Sequence, residues 1–300
     1  MEPASLLTWE VVDWKDPNGG TIRLLPYCPL VNYAGEVEWN GLALIASTED
    51  LALWSDQRRE ESDSPGIVRD AMIANLGPSG RVVKEMFILD DPDIACFPDP
   101  VPYNLLQYAR SNGRRIWCIE PNFDDPKWVD LTLLIADSRT RARSLLRAIG
   151  ANRRVMKAAK SIAMEPPSTD RISFHIAASL QAAWWRNEME SVPKTILDAL
   201  HERLAARLRG ALSQLRADLD GQVDDGDEKV MLVPVPQVRL PEVLEALGGL
   251  PESEDFTMEE ECWPDLQLLL RTRCSDIAPL LYWMMRDWSK RQEQCCREIF

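Results

Sequence analysis

Three hundred residues, 45% of them hydrophobic and 27% charged, hold enough apolar side chains for at least one full core, which excludes an intrinsically disordered chain. A formal net charge of -14, from 34 Lys and Arg against 48 Asp and Glu, excludes a surface that attracts phosphate throughout. Any polyanionic partner therefore needs a local basic patch.

The first region, residues 1–126, reads as strands separated by turns. "TWEVVDW" alternates, "DPNGG" supplies turn dihedrals, and "TIRLLPY" follows, which together predict a hairpin. "EVEWNGLALIAS" holds an Asn-Gly that fits a second tight turn or a bulge, and "VVKEMFIL" and "RRIWCIEP" are two further strand candidates. "DDPDIACFPDPVP" carries four prolines in thirteen residues and is expected to be an ordered loop or an edge segment.

The second region, 127–220, is expected to be helical. "PKWVDLTLLIAD" fits a strand or a helix start, and a purely basic window follows at 138–164, where Gly150 and Asn152 are candidate interruptions. After "EPPSTD", residues 171–190 place Ile172, Ile176, Leu180 and Trp184 on one helical face. Pro193 opens a longer helix whose leucines recur at three and four residues over about 26 positions, or about 39 Å.

The third region, 229–300, follows the acidic linker "DGQVDDGDE". "KVMLVPVPQV" suits an edge strand because of Pro234 and Pro236, and the remainder reads as helices. The expected fold class is α+β: a strand-rich N-terminal part, with a short antiparallel or mixed sheet, followed by a mainly helical C-terminal half.

Seven cysteines without regular spacing indicate a reducing compartment. The opening "MEPASLLTWEVVDWKD" has no signal-peptide core, and no apolar run approaches eighteen residues. The expected location is the cytoplasm, with the nucleus as the alternative.

Motifs for catalysis are missing. Neither phosphate-cradling glycine loop occurs, and "GPSG" around Ser79 lacks the glycine spacing of a nucleophile elbow. His175 and His201 are the only histidines; His201 reads as a boundary residue beside the leucine stripe, and His175 as a packed or half-exposed structural residue. The cysteines lack a C-x-x-C pair, so buried thiols are expected in place of a zinc site. Glu120, Asp124, Asp125 and Asp130 form the least poor cluster for a divalent-metal enzyme, but a solvated loop with helix-capping Asp is the favoured reading of these acids. No cofactor, metal or catalytic residue is assigned.

What stands out is charge. Residues 138–164 contain eight Arg or Lys and no acid. On a helix, Arg139, Arg143, Arg147 and Arg154 fall on one stripe, with Arg153, Lys157 and Lys160 beside it and aliphatic residues opposite. Either the acidic runs at 224–228 and 253–261 neutralise this face internally, or it meets an external anion. The expectation is a non-enzymatic interaction or regulatory protein that binds a protein partner. RNA or an anionic membrane surface is the alternative for the basic helix. Trp283, Met284 and Trp288 near the C-terminus are a second candidate contact surface, and the long leucine stripe suggests a homodimer.

Overall fold

The computed structural model describes residues 7–74, 78–90, 92–95, 99–140, 149–163, 171–219 and 229–256. Within them the chain is α+β, with a five-stranded mixed sheet and helices on both of its faces.

The N-terminal hairpin forms as the sequence predicts. Strands β1 (Val12–Lys15) and β2 (Thr21–Tyr27) pair antiparallel, with Lys15 opposite Thr21. Gly19 and Gly20 take φ of 100° and 82° in the turn, where a side chain would be strained. Strand β3 (Gly41–Leu44) and strand β4 (Ile116–Cys118) pair parallel to each other. Strand β5 (Val230–Pro236) enters parallel between β2 and β3, giving the order β1-β2-β5-β3-β4.

The position of β5 corrects the edge-strand expectation. Its prolines are tolerated at the centre because β3 bonds only its first half, through Met231 and Leu232, so Pro234 and Pro236 lie beyond that ladder. Pro26 of β2 likewise falls past Leu24, where β1 stops pairing. The sheet thus joins the first and third regions of the sequence in one core.

Alternation along each strand builds two apolar layers. Ile22, Leu24, Ala43, Trp117, Met231, Val233 and Val235 face one side, while Leu25, Tyr27, Leu42, Leu44, Ile116, Cys118 and Leu232 face the other. The second layer is covered by Leu51 of helix α1 (Thr48–Asp63) and by Val101, Leu106 and Ala109 of α4 (Pro100–Ser111). The two intervening helices are α2 (Ile67–Ala74) and α3 (Pro78–Met86).

Three departures from the sequence reading lie here. "VVKEMFIL" belongs largely to α3: its buried residues Val82, Val83 and Met86 repeat at the helical interval, not at two. Pro78, Ser79 and Gly80 are the first turn of the same helix. The proline-rich segment is irregular in its described residues up to Asp99, as expected, with one isolated bridge from Ile94 to Val31. The departure is its last three residues, which open α4, since Pro100 and Pro102 occupy the first turn, where the missing N–H has no intrahelical acceptor to lose.

The first layer is covered by α5 (Pro126–Thr140), by the long helix α8 (Lys194–Leu219) and by α9 (Leu240–Gly248). A third core forms apart from the sheet, between α3, α6 (Ala151–Ala163), α7 (Ile172–Met189) and residues 28–31.

Helix α8 spans 26 residues, as its leucine period predicts. Leu204, Leu208, Ala211, Leu212 and Leu215 are at most 2% exposed against the sheet. That stripe is part of the chain's own core and is not open to a second copy. The sequence expectation of a dimer seam along it gives way to an intramolecular role.

The polar side of α8 fastens the loops around the sheet. Arg209 donates to Asp16 at 2.7 Å and also to the carbonyl of Pro251, and Arg216 reaches the carbonyl of Gly19 at 2.7 Å. Arg203 pairs with Asp125 and Glu254. Arg207, 2% exposed, donates to the Ile119 carbonyl at 2.6 Å, the Cys118 carbonyl at 3.3 Å and Glu254 at 3.0 Å, with the Phe256 ring 4.3 Å from its guanidinium carbon. Buried charge costs several kcal/mol unless its donors are satisfied, and these acceptors satisfy it.

Gly210 permits the close approach of residues 251–256. A Cβ there would overlap the Glu254 carbonyl oxygen. Gly→Ala inside a helix normally gains about 1 kcal/mol of propensity, but overpacking costs about 1–3 kcal/mol, and the loss of the Glu254 pairs adds to that. Gly210→Ala should therefore lower the urea midpoint. Equal or greater stability would show that the 251–256 segment is not clamped on α8.

Candidate functional site

The basic window does not form one continuous helix. Helix α5 ends at Thr140, Gly150 adopts a φ of 75°, and α6 starts at Ala151. A left-handed residue cannot continue an α-helix, so Arg139 and Arg154 do not share a single helical stripe. Arg143 and Arg147 lie outside the described residues, as do Trp283, Met284 and Trp288.

The remaining candidates divide. Arg139 is neutralised inside the chain by Glu188 of α7. On α6, Val155, Ala159 and Ile162 are buried in the third core and Ala151 is buried on the same side, and this sets the opposite face outward. Arg153, Arg154, Lys157 and Lys160 are exposed on that outer side. Arg154 donates to the Ile149 carbonyl at 3.2 Å. Arg153, Lys157 and Lys160, spaced at four and three residues, make no ion pair with any described residue. Of the acids expected to neutralise them, residues 224–228 and 257–261 lie outside the described residues, whereas Glu254 is bound to Arg203 and Arg207.

The carboxylates near 120–130 do not converge. Among the described residues no three His, Cys, Asp or Glu side chains are placed to hold a metal ion. Asp125 caps α5 by accepting from the Trp128 amide at 2.8 Å and is gripped by Arg203, which holds its pKa down at about 2. Glu120 sits apart, beside Arg239 at 3.7 Å.

A second polar concentration, which the sequence reading missed apart from Glu120, occupies the carboxyl ends of the parallel strands. This is where open sheets with parallel strands form ligand crevices. Tyr27, Leu44, Ile45, Trp54, Asp99, Pro102, Pro234, Pro236 and Arg239 line a cavity of about 180 Å³. The register explains the proline wall, because Tyr27 and Pro236 are paired partners at the ends of β2 and β5.

Asp99 is the residue before α4, yet its carboxylate makes no bond to its own helix. It instead accepts from the Leu30 amide at 2.9 Å and from the Tyr27 hydroxyl. Leu30 has a φ of 68°, a strained conformation for a side chain of its size, and this bond helps to hold it. Burial raises the Asp99 pKa to about 6, against the pull of both donors. Glu120 rises to about 7: desolvation dominates, Arg239 opposes it, and Asp50 adds to it. Its side chain keeps 25% of its surface accessible, so it lies in a recess that solvent reaches at one edge. His201, 6% exposed, is lowered to about 4, first by burial and then by the Arg239 charge.

The two histidines are packed residues. His175 is 3% exposed in the third core. Cys28 and Cys118 are buried free thiols, and burial raises the Cys28 pKa well above its ordinary value. The other five cysteines lie outside the described residues. Among the described residues, no helix is long and apolar enough to cross a membrane.

Comparison of the chain with protein-family models, with curated proteins and with solved structures found no match.

The raised Glu120 pKa has a signed consequence. Below about pH 4.5 the residue is protonated whether the chain is folded or not. Between there and about pH 7 the unfolded chain ionises first, so Glu120 removes stability as pH rises, and the loss levels off above about 7. Asp99 acts in the same direction between its ordinary 3.8 and about 6. His201 and Asp125 act oppositely: each withdraws stability as pH falls, His201 from 6.5 toward about 4 and Asp125 from 3.8 toward about 2. Comparing Glu120→Gln with wild type isolates one group. The variant's relative stability should climb between pH 4.5 and 7, by at most ~1.4 kcal/mol per pH unit, then stay level. A pH-independent difference would show that Glu120 is not held protonated by the fold.

Proposed function

We propose that this protein acts through binding rather than catalysis, and that the outer face of α6 docks against an acidic surface of a protein partner. One observation carries this reading. Arg153, Lys157 and Lys160 stay exposed without a described counter-ion in a chain whose formal net charge is -14. Acids are abundant in the sequence, and charge that no described residue matches on one helix face is available to an outside anion.

Two features favour a protein over a polynucleotide. Helix α6, "ANRRVMKAAKSIA", contains no aromatic ring on which a base could stack. Ile149, 74% exposed just before the helix, adds an apolar contact beside the cations, as a protein interface requires at its centre. Duplex nucleic acid also presents a charge about every 1.7 Å, which the acidic body of the chain repels. An acidic protein patch is more dilute.

The triple change Arg153→Glu, Lys157→Glu and Lys160→Glu tests the assignment on the full-length chain. Exposed charges contribute about 0–1 kcal/mol each, so the urea midpoint should move little. Wild type should bind a fluorescent poly-glutamate peptide at low salt, weaken steeply as salt rises, and lose binding in the variant. Absence of wild-type binding, or equal binding by the variant, would refute the docking face. Tighter binding of single-stranded RNA or anionic vesicles than of the peptide would reassign the partner.

A further inference from the structure

The recess at the strand ends supports an inference independent of α6. We propose that the cavity at the carboxyl ends of β2, β3 and β5 binds a small monocarboxylate. Its carboxylate would take the Arg239 guanidinium, and its short apolar tail would lie against Trp54, Leu44 and the proline rings.

One of the two charged groups that line the recess is short of partners. Asp99 already accepts from the Leu30 amide and the Tyr27 hydroxyl. Arg239 has five N–H donors, yet among the described residues its close contacts are the Glu120 carboxylate at 3.7 Å and the Trp185 ring, 5.7 Å from its guanidinium carbon, with Glu242 acting on it only through space. Its Nε is buried without a partner. An unsatisfied buried donor costs about 1–3 kcal/mol, and the planar fork of a guanidinium matches a carboxylate through two parallel bonds. The group still available in the recess is therefore a cation suited to a planar anion.

Size and lining narrow the ligand further. About 180 Å³ lies below the roughly 300–1,000 Å³ of sites for drug-sized molecules, so the ligand has few heavy atoms. Apart from Arg239 and Asp99, the lining is apolar or aromatic, with the Tyr27 hydroxyl engaged by Asp99. A strongly hydrated dianion such as phosphate would lose more hydration against these walls and meet the Asp99 carboxyl with twice the charge, whereas a monocarboxylate with a short aliphatic or aromatic tail brings a single charge to the fork and an apolar tail to the walls. An amine would have to displace donors that Asp99 already holds.

Isothermal titration of the full-length protein with isobutyrate, benzoate, isobutylamine and inorganic phosphate tests the proposal. At least one carboxylate should bind saturably, and the amine and phosphate should not. In the wild-type protein labelled with ¹⁵N, the indole N–H signal of Trp54 should move with the same saturation curve. Arg239→Gln should weaken carboxylate binding at least tenfold. Saturable binding of the amine or phosphate without either carboxylate, a Trp54 signal unmoved by both carboxylates, or undiminished affinity in Arg239→Gln would overturn it. The Trp54 measurement decides even if that variant fails to fold.

Discussion

The first layer of the sheet and the loops at its rim lean on one helix whose two sides do different work. The apolar side of α8 covers the sheet, and its four arginines, at 203, 207, 209 and 216, reach over the rim to hold the loops. Arg207 is the most constrained of them. A guanidinium 2% exposed is tolerated there because two strand-end carbonyls and Glu254 receive its donors. That requirement fixes the end of β4, and it brings residues 251–256 close enough that position 210 must be glycine. It also locates the start of α5, through the Arg203 grip on Asp125.

The positive charge of an acidic chain is thereby sorted into three environments. Arginines on α8 are matched within the molecule and serve the fold. Arg239, at the strand ends, is partly buried, and its Nε is enclosed without an acceptor among the described residues. The cations of α6 are carried on a helix whose other face is packed, so they are presented rigidly and without a described counter-ion. The docking face and the carboxylate site proposed above rest on this contrast, because the same residue type has different consequences depending on what its donors meet.

Much of the scaffold was legible in the sequence. The hairpin around "DPNGG", the long helix after Pro193 and the helix at 172–189 follow directly from turn chemistry and apolar period. Helix α1 was not visible. Leu51 is its only buried residue, so no stripe marks it, although Ser47 and Asp50 form the reciprocal cap that a closer reading of "STED" would suggest. The placement of β5 was misread because a local proline rule cannot know where the neighbouring strand stops.

The site was harder to see for a different reason. Lys157 and Lys160 stand out in a charge count, whereas Arg207 lies inside a leucine stripe and Arg239 in a short stretch after two prolines. Asp99, Glu120 and Arg239 come from distant segments that meet only once the parallel strands are aligned. The available hint was the pair of proline-rich strand ends, "LLPYCP" and "VPVPQV", which the register places side by side.

The sorting of arginines can be observed directly in the unmodified protein. In a full-length chain carrying ¹⁵N-labelled arginine, the Nε–Hε signal of Arg207, bonded to the Ile119 carbonyl at 2.6 Å, should persist against exchange with water, while that of Arg153 should exchange rapidly. Adding the acidic peptide should perturb Arg153 and leave Arg207 in place. Equal protection of Arg153 and Arg207 in the free protein, or rapid exchange of both, would contradict the division between cations that build the fold and cations left for a partner.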